Sequence, residues 1–455
     1  MDLKNPLVSC SSFFLLHLFT FYLSSSFLAQ AARAPPTPLP PTKQYYHVHV
    51  VNLTSLLPKS YCESHSKGSE KIRMASRNGP CSPSHNPPAK KISSTKQSEN
   101  ANINSNSGYM EYFVTIGVGT PKAEFNMLVD TGSDNTWVLC KPCTTATGCA
   151  PNAHLFDPSK SSTYVKGSHD FHSFYGDNSS VSGVWGYDTL TVDKSHVVKK
   201  FQLGCGQDIH NTNFGNAAAG ILGLGQGKGS LPSQGGSTFK TFSYCLPKSD
   251  SQVGYLVFGE EAHKKSSSSK PKFTPLLHPP NKLPTNSQEF RESYYFVELI
   301  GITVAGKQLN VDPSVFASPG TIIDSGTSIT QLPPKAYSAL ATAFNQSMAS
   351  KYPAAQSKQN PKLDTCYNVD GFNSSQVSVP DVTLRFRGGV DVSLRPSGII
   401  IIPPNETNLV CLGFTQIQPD DDQITIIGNH QQRQIGMFFD LQGRRVGFGT
   451  TNCAD

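Results

Sequence analysis

The chain has 455 residues and a formal charge of +6, long enough for two or three domains. Its basicity is local. Residues 32–106 hold ten Lys/Arg against three Asp/Glu, a balance of +7, while Asp2 and Lys4 cancel in the first thirty-one residues. The remainder carries 6 − 7 − 0 = −1, so a nucleic-acid partner is not expected.

In chain order, residues 1–31 read as a secretory signal. Lys4 gives a positive start, Phe13 to Leu28 is an apolar stretch interrupted by His17 and serines, and Ala29-Gln30-Ala31 has the small-x-small form of a cleavage site. A membrane anchor is the alternative, but the run is short, and no later run reaches about 18 uninterrupted apolar residues. The mature protein is expected to be soluble, without a membrane partner. Residues 32–106 are rich in Pro, Ser, Lys and Asn, with little periodicity beyond HVHVVNL at His47, as in the pro-region of a zymogen. Its charge is expected to restrain the acidic remainder, with a protease-accessible linker between Lys96 and Gly108.

Export predicts disulfides. Of eleven cysteines, Cys10, Cys62 and Cys81 precede the β-rich part, and Cys140, Cys143, Cys149, Cys205, Cys245, Cys366, Cys411 and Cys453 form an even set. Eight cysteines allow 105 pairings, so spacing alone leaves connectivity open. Asn52, Asn178, Asn345, Asn373 and Asn405 head Asn-x-Ser/Thr sequons and are candidate glycosylation sites on the same route.

From Tyr109 the pattern changes. EYFVTIGVGTP, MLVDTGS, YDTLTV and ILGLGQG are short β-branched and aromatic runs punctuated by Gly, Pro and Ser, so the class is all-β. The best helical segment is AYSALATAFNQSMASKY from Ala336, with Pro333-Pro334 at its start. Tyr-Gly-Asp-Asn at Tyr175, between FHSF and VWGYDTLTV, predicts a hairpin turn.

An internal repeat organises this part. VDTGS at 129–133 is followed by ILGLG at 221–225, and IDSGT at 323–327 by TIIGN at 425–429. The offsets are similar, 221 − 130 = 91 and 426 − 324 = 102. Either Asp-Thr/Ser-Gly turn alone is common; two with matched partners indicate one shared site. If a two-fold relates the halves, Asp130 faces Asp324. Carboxyls that close cannot both ionise, and the pair then supplies an acid and a base together. That chemistry needs neither cofactor nor metal, and no HExxH or paired CxxC spacing indicates a metal site.

With these motifs stand Trp137, YGDNSS at Tyr175, FQLGCG at Phe201, FSYCLP at Phe242, LDTCY at Leu363 and IIGNHQQ at Ile426. Over about Tyr109 to Cys453 the chain resembles the pepsin-like aspartic proteases, most closely their plant nepenthesin-like branch. The resemblance implies a bilobal all-β fold with a central cleft, its N-terminal lobe at 107–290 and its C-terminal lobe at 291–455. It implies a catalytic pair, Asp130 and Asp324, supported by Thr131, Gly132, Ser133, Ser325, Gly326 and Thr327. Ser133 and Thr327 would bond the outer carboxylate oxygens. Tyr175 and Gly176 would belong to a flap over the substrate, with Trp137 bracing the tyrosine hydroxyl. The implied disulfides are Cys140–Cys143, Cys149–Cys205, Cys245–Cys453 and Cys366–Cys411. Protein or peptide substrates, inhibition by pepstatin-like compounds, acid activity and a monomeric state follow from the same resemblance. So does delivery to the apoplast, with the vacuole as the alternative.

Two departures stand out: no cysteine lies between Ser161 and Phe174, where the branch usually has four, and the flap reads GDNS rather than GDGS. Two other classes are less consistent with these residues. A catalytically inactive cell-wall relative that inhibits a glycosidase usually lacks an active-site Asp or the flap Tyr, and this chain keeps all three. A cell-wall adhesion module has no supporting feature.

Overall fold

The alternating runs become strands whose odd and even positions face opposite sides. In Glu111–Val118, Tyr112, Val114 and Ile116 point into the core. The chain turns at Gly119 and returns as Ala123–Asp130, paired antiparallel from Val118↔Ala123 to Phe113↔Leu128. Asp130 is the last residue of that strand, and this is what delivers it to a loop.

The computed structural model describes residues 101–106, 111–177, 179–210, 218–248, 252–280, 291–372, 376–418, 424–450 and 453, with backbone alone at 101–106 and 267–269. All belong to a compact unit running from Tyr45 to Asp455. The expected signal, the pro-region up to Asn100 and the sequons at Asn52, Asn178 and Asn373 lie outside the described residues. The described fold is mostly β, with a thirteen-stranded sheet and sheets of five, four and four strands. No helix among the described residues is long and apolar enough to cross a membrane.

The sequence repeat is a structural repeat. In the first half, Ala123–Asp130 runs parallel to Gly220–Gly223, with Asp130 beside Gly223, and Gly220–Gly223 pairs antiparallel with Trp137–Leu139. In the second, Thr321–Ile323 runs parallel to Thr425–Ile427, which pairs antiparallel with Thr330–Leu332. The two aliphatics that follow each Asp loop at a distance thus lie in the strand beside it, with the glycine ending that strand in the first half and directly following it in the second. The glycines are needed for space. A Cβ on Gly223 would lie 2.2 Å from the Asp134 carbonyl oxygen, and one on Gly428 within 2.9 Å of backbone at Thr327, Ser328 and Ile329.

Beneath the loops, the Thr241–Cys245 strand pairs with both Gly254–Phe258 and Ile435–Asp440, and Ile435–Asp440 pairs with Arg445–Thr450. Phe242 stacks on Phe439 with ring centroids 4.5 Å apart, and Tyr295 packs edge-on against Phe439. The predicted helix spans Pro334–Met348 and buries Ala336, Tyr337, Leu340, Phe344 and Met348, one face at helical spacing. Asn345 is exposed on that helix, and Asn405 is exposed in a turn with φ 62°.

Two expectations are corrected here. The Lys96–Gly108 stretch is not all accessible linker, because Ala101–Asn106 is a strand between Gly254–Phe258 and Glu111–Val118, bonded on both edges. Its sequence, ANINSN, is half asparagine, a residue depleted in strands, so composition did not mark it as one. Two implied disulfides are also re-paired, to Cys140–Cys205 and Cys143–Cys149, while Cys245–Cys453 and Cys366–Cys411 stand as given. The reason is register. Trp137–Leu139 runs parallel to Val197–His210 and the Cys140 amide donates to the Gly206 carbonyl at 2.8 Å, which leaves Cys140 and Cys205 with Cα atoms 5.3 Å apart. Past Cys143 the chain makes one turn at Thr145–Thr147 and reverses at Gly148, φ 86°, bringing Cys149 back beside Cys143.

Candidate active site

Each Asp loop holds its carboxylate in the same way. Asp130 Oδ1 accepts from the Gly132 amide at 2.8 Å, and Oδ2 accepts from the Ser133 hydroxyl. Asp324 Oδ1 accepts from the Gly326 amide at 2.8 Å, and Oδ2 accepts from the Thr327 hydroxyl at 2.5 Å. The middle residues tie the loops to each other. The Thr131 amide donates to Ser325 Oγ at 3.0 Å and the Ser325 amide to Thr131 Oγ1 at 2.9 Å. The Ser325 hydroxyl then donates to the Val129 carbonyl and the Thr131 hydroxyl to the Ile323 carbonyl. Every one of these donors and acceptors has a counterpart under exchange of the loops.

The two carboxyls face one another across the two glycines. A Cβ on Gly132 would lie 2.5 Å from Asp324 Cγ, and one on Gly326 would lie 2.3 Å from Asp130 Oδ1. Both aspartates are about 1% exposed. Burial pushes Asp130 well above the ordinary carboxyl range, and the charge of Asp324 pushes it further. Burial raises Asp324 too, against the lowering effect of the bonds from Thr327 and Gly326.

The predicted hairpin is present. Val165–Phe174 pairs antiparallel with Ser180–Thr191 as far as Phe174↔Ser180, and the Tyr175 amide donates to the Ser179 carbonyl at 2.9 Å. Trp137 Nε1 donates to the Tyr175 hydroxyl at 2.5 Å. Read from sequence, a hairpin-tip tyrosine adds little to a core. In the structure Tyr175 is buried in an apolar cluster with Leu128, Trp137, Phe171, Val181 and Ile221. Tyr175→Ala is therefore expected to cost about 3–5 kcal/mol of stability, as for a buried aromatic, as well as turnover. Tyr175→Phe, which removes one hydrogen bond worth about 1 kcal/mol, should keep most of both. Denaturant titration alongside kcat for the two variants checks this; equal turnover loss in both would place the effect in the hydroxyl.

Beside the hairpin, Glu111 is pushed up to about 7, first by burial and then by the neighbouring charge of Asp177. A residue pair that the sequence reading did not single out lies under the loops: Tyr244 and Gln432, from the quoted runs FSYCLP and IIGNHQQ. A tyrosine in the short strand-like run FSYC, and consecutive glutamines shortly after Gly428, are the signals that the residues offer.

Two related β halves that present a pair of buried, cross-tied Asp-Thr/Ser-Gly loops define a bilobal pepsin-like aspartic protease fold. The eukaryotic aspartyl protease family model matches residues 111–451, and the chain belongs to that family. Aspartyl protease family protein 2 of Arabidopsis thaliana is 36% identical over 379 residues, covering 76% of this chain and 72% of the relative. Nepenthesin-2 of Nepenthes gracilis is 32% identical over 367 residues, covering 75% and 78%, and nepenthesin-1 is 30% identical over 368 residues. The protein is an aspartic-type endopeptidase, and its substrates are peptides or proteins.

Proposed function

We propose that this endopeptidase cuts peptide bonds in acid, through a water activated by Asp130 and Asp324. The observation that carries the reading is the interlocked placement of the loops, in which each glycine leaves the space that the opposite carboxyl occupies. Two buried carboxyls so placed hold one proton between them at working pH. The charged oxygen removes a proton from water as the water oxygen attacks the carbonyl carbon. The protonated carboxyl gives its proton to the carbonyl oxygen, forming a tetrahedral diol. As the diol collapses, the carboxyl that took the water's proton gives it to the leaving nitrogen while one diol hydroxyl gives its proton to the other carboxylate, so the pair again holds one proton.

Delivery outside the cell, with a vacuolar destination as the alternative, rests on the leader-like residues 1–31 and on four disulfides in the described part. The enzyme acts as a monomer and is inhibited by pepstatin-like compounds. The pro-region is released ahead of Ala101, since a later cut would remove a strand bonded on both edges.

The sign of the pH dependence follows from the pair. Its folded pKa values are raised, so its contribution to stability is complete below the usual carboxyl value and is lost as pH rises through the raised one. The same rise strips the shared proton, so activity falls on the neutral side. Purified precursor, acidified, should shorten to a new N-terminus before Ala101. It should then hydrolyse unfolded protein with a maximum in acid and be blocked by pepstatin. A maximum at or above pH 7, or full activity in uncut precursor at neutral pH, would overturn the reading.

A further inference from the structure

The cross-tied loops hold each other, yet something must also hold the pair of loops against the rest of the molecule. Tyr244 lies in Thr241–Cys245, a strand paired on both sides, at Leu256 and at Met437. It is fully buried, and its ring stacks against Phe439 at 5.6 Å. Its hydroxyl donates to Gln432 Oε1 at 2.5 Å. The other end of that amide donates to two carbonyls of the second loop region, Asp324 at 3.1 Å and Ile427 at 2.8 Å. Gln432 is itself 2% exposed and belongs to the short helix Asn429–Gln432. Through the bonds between Thr131 and Ser325 the second loop is tied to the first, so what holds the Asp324 loop also holds the Asp130 loop.

We infer that Tyr244 and Gln432 form a clamp that positions both aspartates from below, fixing the loop pair to the central sheet. Ser243, Asn429, His430 and Gln431 of the same two segments are buried as well, so the floor carries several polar side chains. A buried polar pair is tolerated only when its bonds are made, and here the Gln432 amide meets the Tyr244 hydroxyl, the Asp324 carbonyl of the loop and the Ile427 carbonyl of the strand beside it. A side chain carried by a paired strand is set by the whole sheet, so it gives the loops a rigid reference that they do not have by themselves. The titratable groups facing the hydroxyl are Asp130, Asp324 and Tyr295. Neither Tyr244 nor Gln432 touches substrate in this account; they are positioning residues.

The inference rests on the proposed roles of Asp130 and Asp324, and the experiment separates the two. Tyr244→Phe and Gln432→Met, each assayed per folded protein in acid, should lower kcat about ten- to a hundredfold, as a small misplacement of reacting groups does. KM should stay within about twofold, since the substrate-binding surface is untouched. The double variant should lose no more than the worse single, because either change breaks the same clamp. Gln432→Glu should rescue kcat at the acid end, where a neutral carboxyl accepts from Tyr244 and donates to one carbonyl. It should fail as that carboxyl ionises, moving the neutral limb of the pH profile to lower pH. Unchanged kcat in both single variants, or additive losses, would overturn the clamp while Asp130→Asn remains inactive. An active Asp130→Asn would instead remove the reading on which the clamp depends. If Tyr244→Phe does not fold, Gln432→Met and Gln432→Glu carry the same test.

Discussion

Asp130→Asn and Asp324→Asn are each expected to abolish peptide hydrolysis, with kcat falling at least about a thousandfold, the scale on which acid–base partners act. An amide can neither take the proton of the attacking water nor supply one to the carbonyl oxygen. The loops themselves should survive. Asn keeps a carbonyl oxygen to accept from the Gly132 or Gly326 amide, and the bonds between Thr131 and Ser325 involve neither carboxyl. Removing a buried ionisable group also removes the cost of charging it, so each variant should be at least as stable as the parent above the acid range. Turnover measured with thermal unfolding at two pH values checks both halves. More than a few per cent of activity in either purified variant would end the assignment.

Gly132→Ala and Gly326→Ala are expected to be nearly as damaging, although neither residue takes part in the chemistry. The added methyl would lie 2.5 Å from the Asp324 carboxyl carbon in one case and 2.3 Å from an Asp130 oxygen in the other. No side-chain rotation relieves this, because the outer oxygens are held by Ser133 and Thr327. One carboxyl must move by an ångström or so, which costs on the order of a hundredfold in rate. Gly301→Ala is the control, since its Cβ would meet only the flexible end of Gln308, 3.2 Å away. Activity in both loop variants equal to the control's would mean that the carboxyls do not work as a close pair.

Much of this site was legible in the residues. Asp-Thr/Ser-Gly followed at a distance by two aliphatics and a glycine encodes a strand, its loop and the neighbouring parallel strand, and the repetition implied a shared centre. The flap turn was legible because Tyr-Gly-Asp-Asn interrupts two alternating runs. Cysteine connectivity was not. It depends on which strand lies beside Trp137–Leu139, a pairing that spans more than sixty residues and leaves no local pattern. Ala101–Asn106 was missed because half of its residues are asparagine, a residue depleted in strands, and Gly259–Ser269 was missed because that helix has no regular apolar stripe. Tyr244 and Gln432 read as ordinary residues of a strand and a turn until the sheet puts them under the loops.

The near two-fold of the loops breaks one step away from the carboxyls. Trp137 stands opposite Ile221, and the residue at the corresponding place in the second half, opposite Ile426, is Gln331. Trp137 holds the hairpin tyrosine, whereas Gln331 offers an amide in place of an indole. A symmetric pair of acids cannot tell the amino end of a peptide from its carboxyl end. A tyrosine fastened on one side can, because a chain laid across the pair meets it at only one of its two orientations. The direction in which substrate is read is therefore expected to be set by the indole and its tyrosine rather than by the aspartates. A good peptide substrate resynthesised in reversed order should be cut poorly by the parent, and the preference should shrink in Trp137→Gln; equal rates for both peptides in the parent would remove the argument.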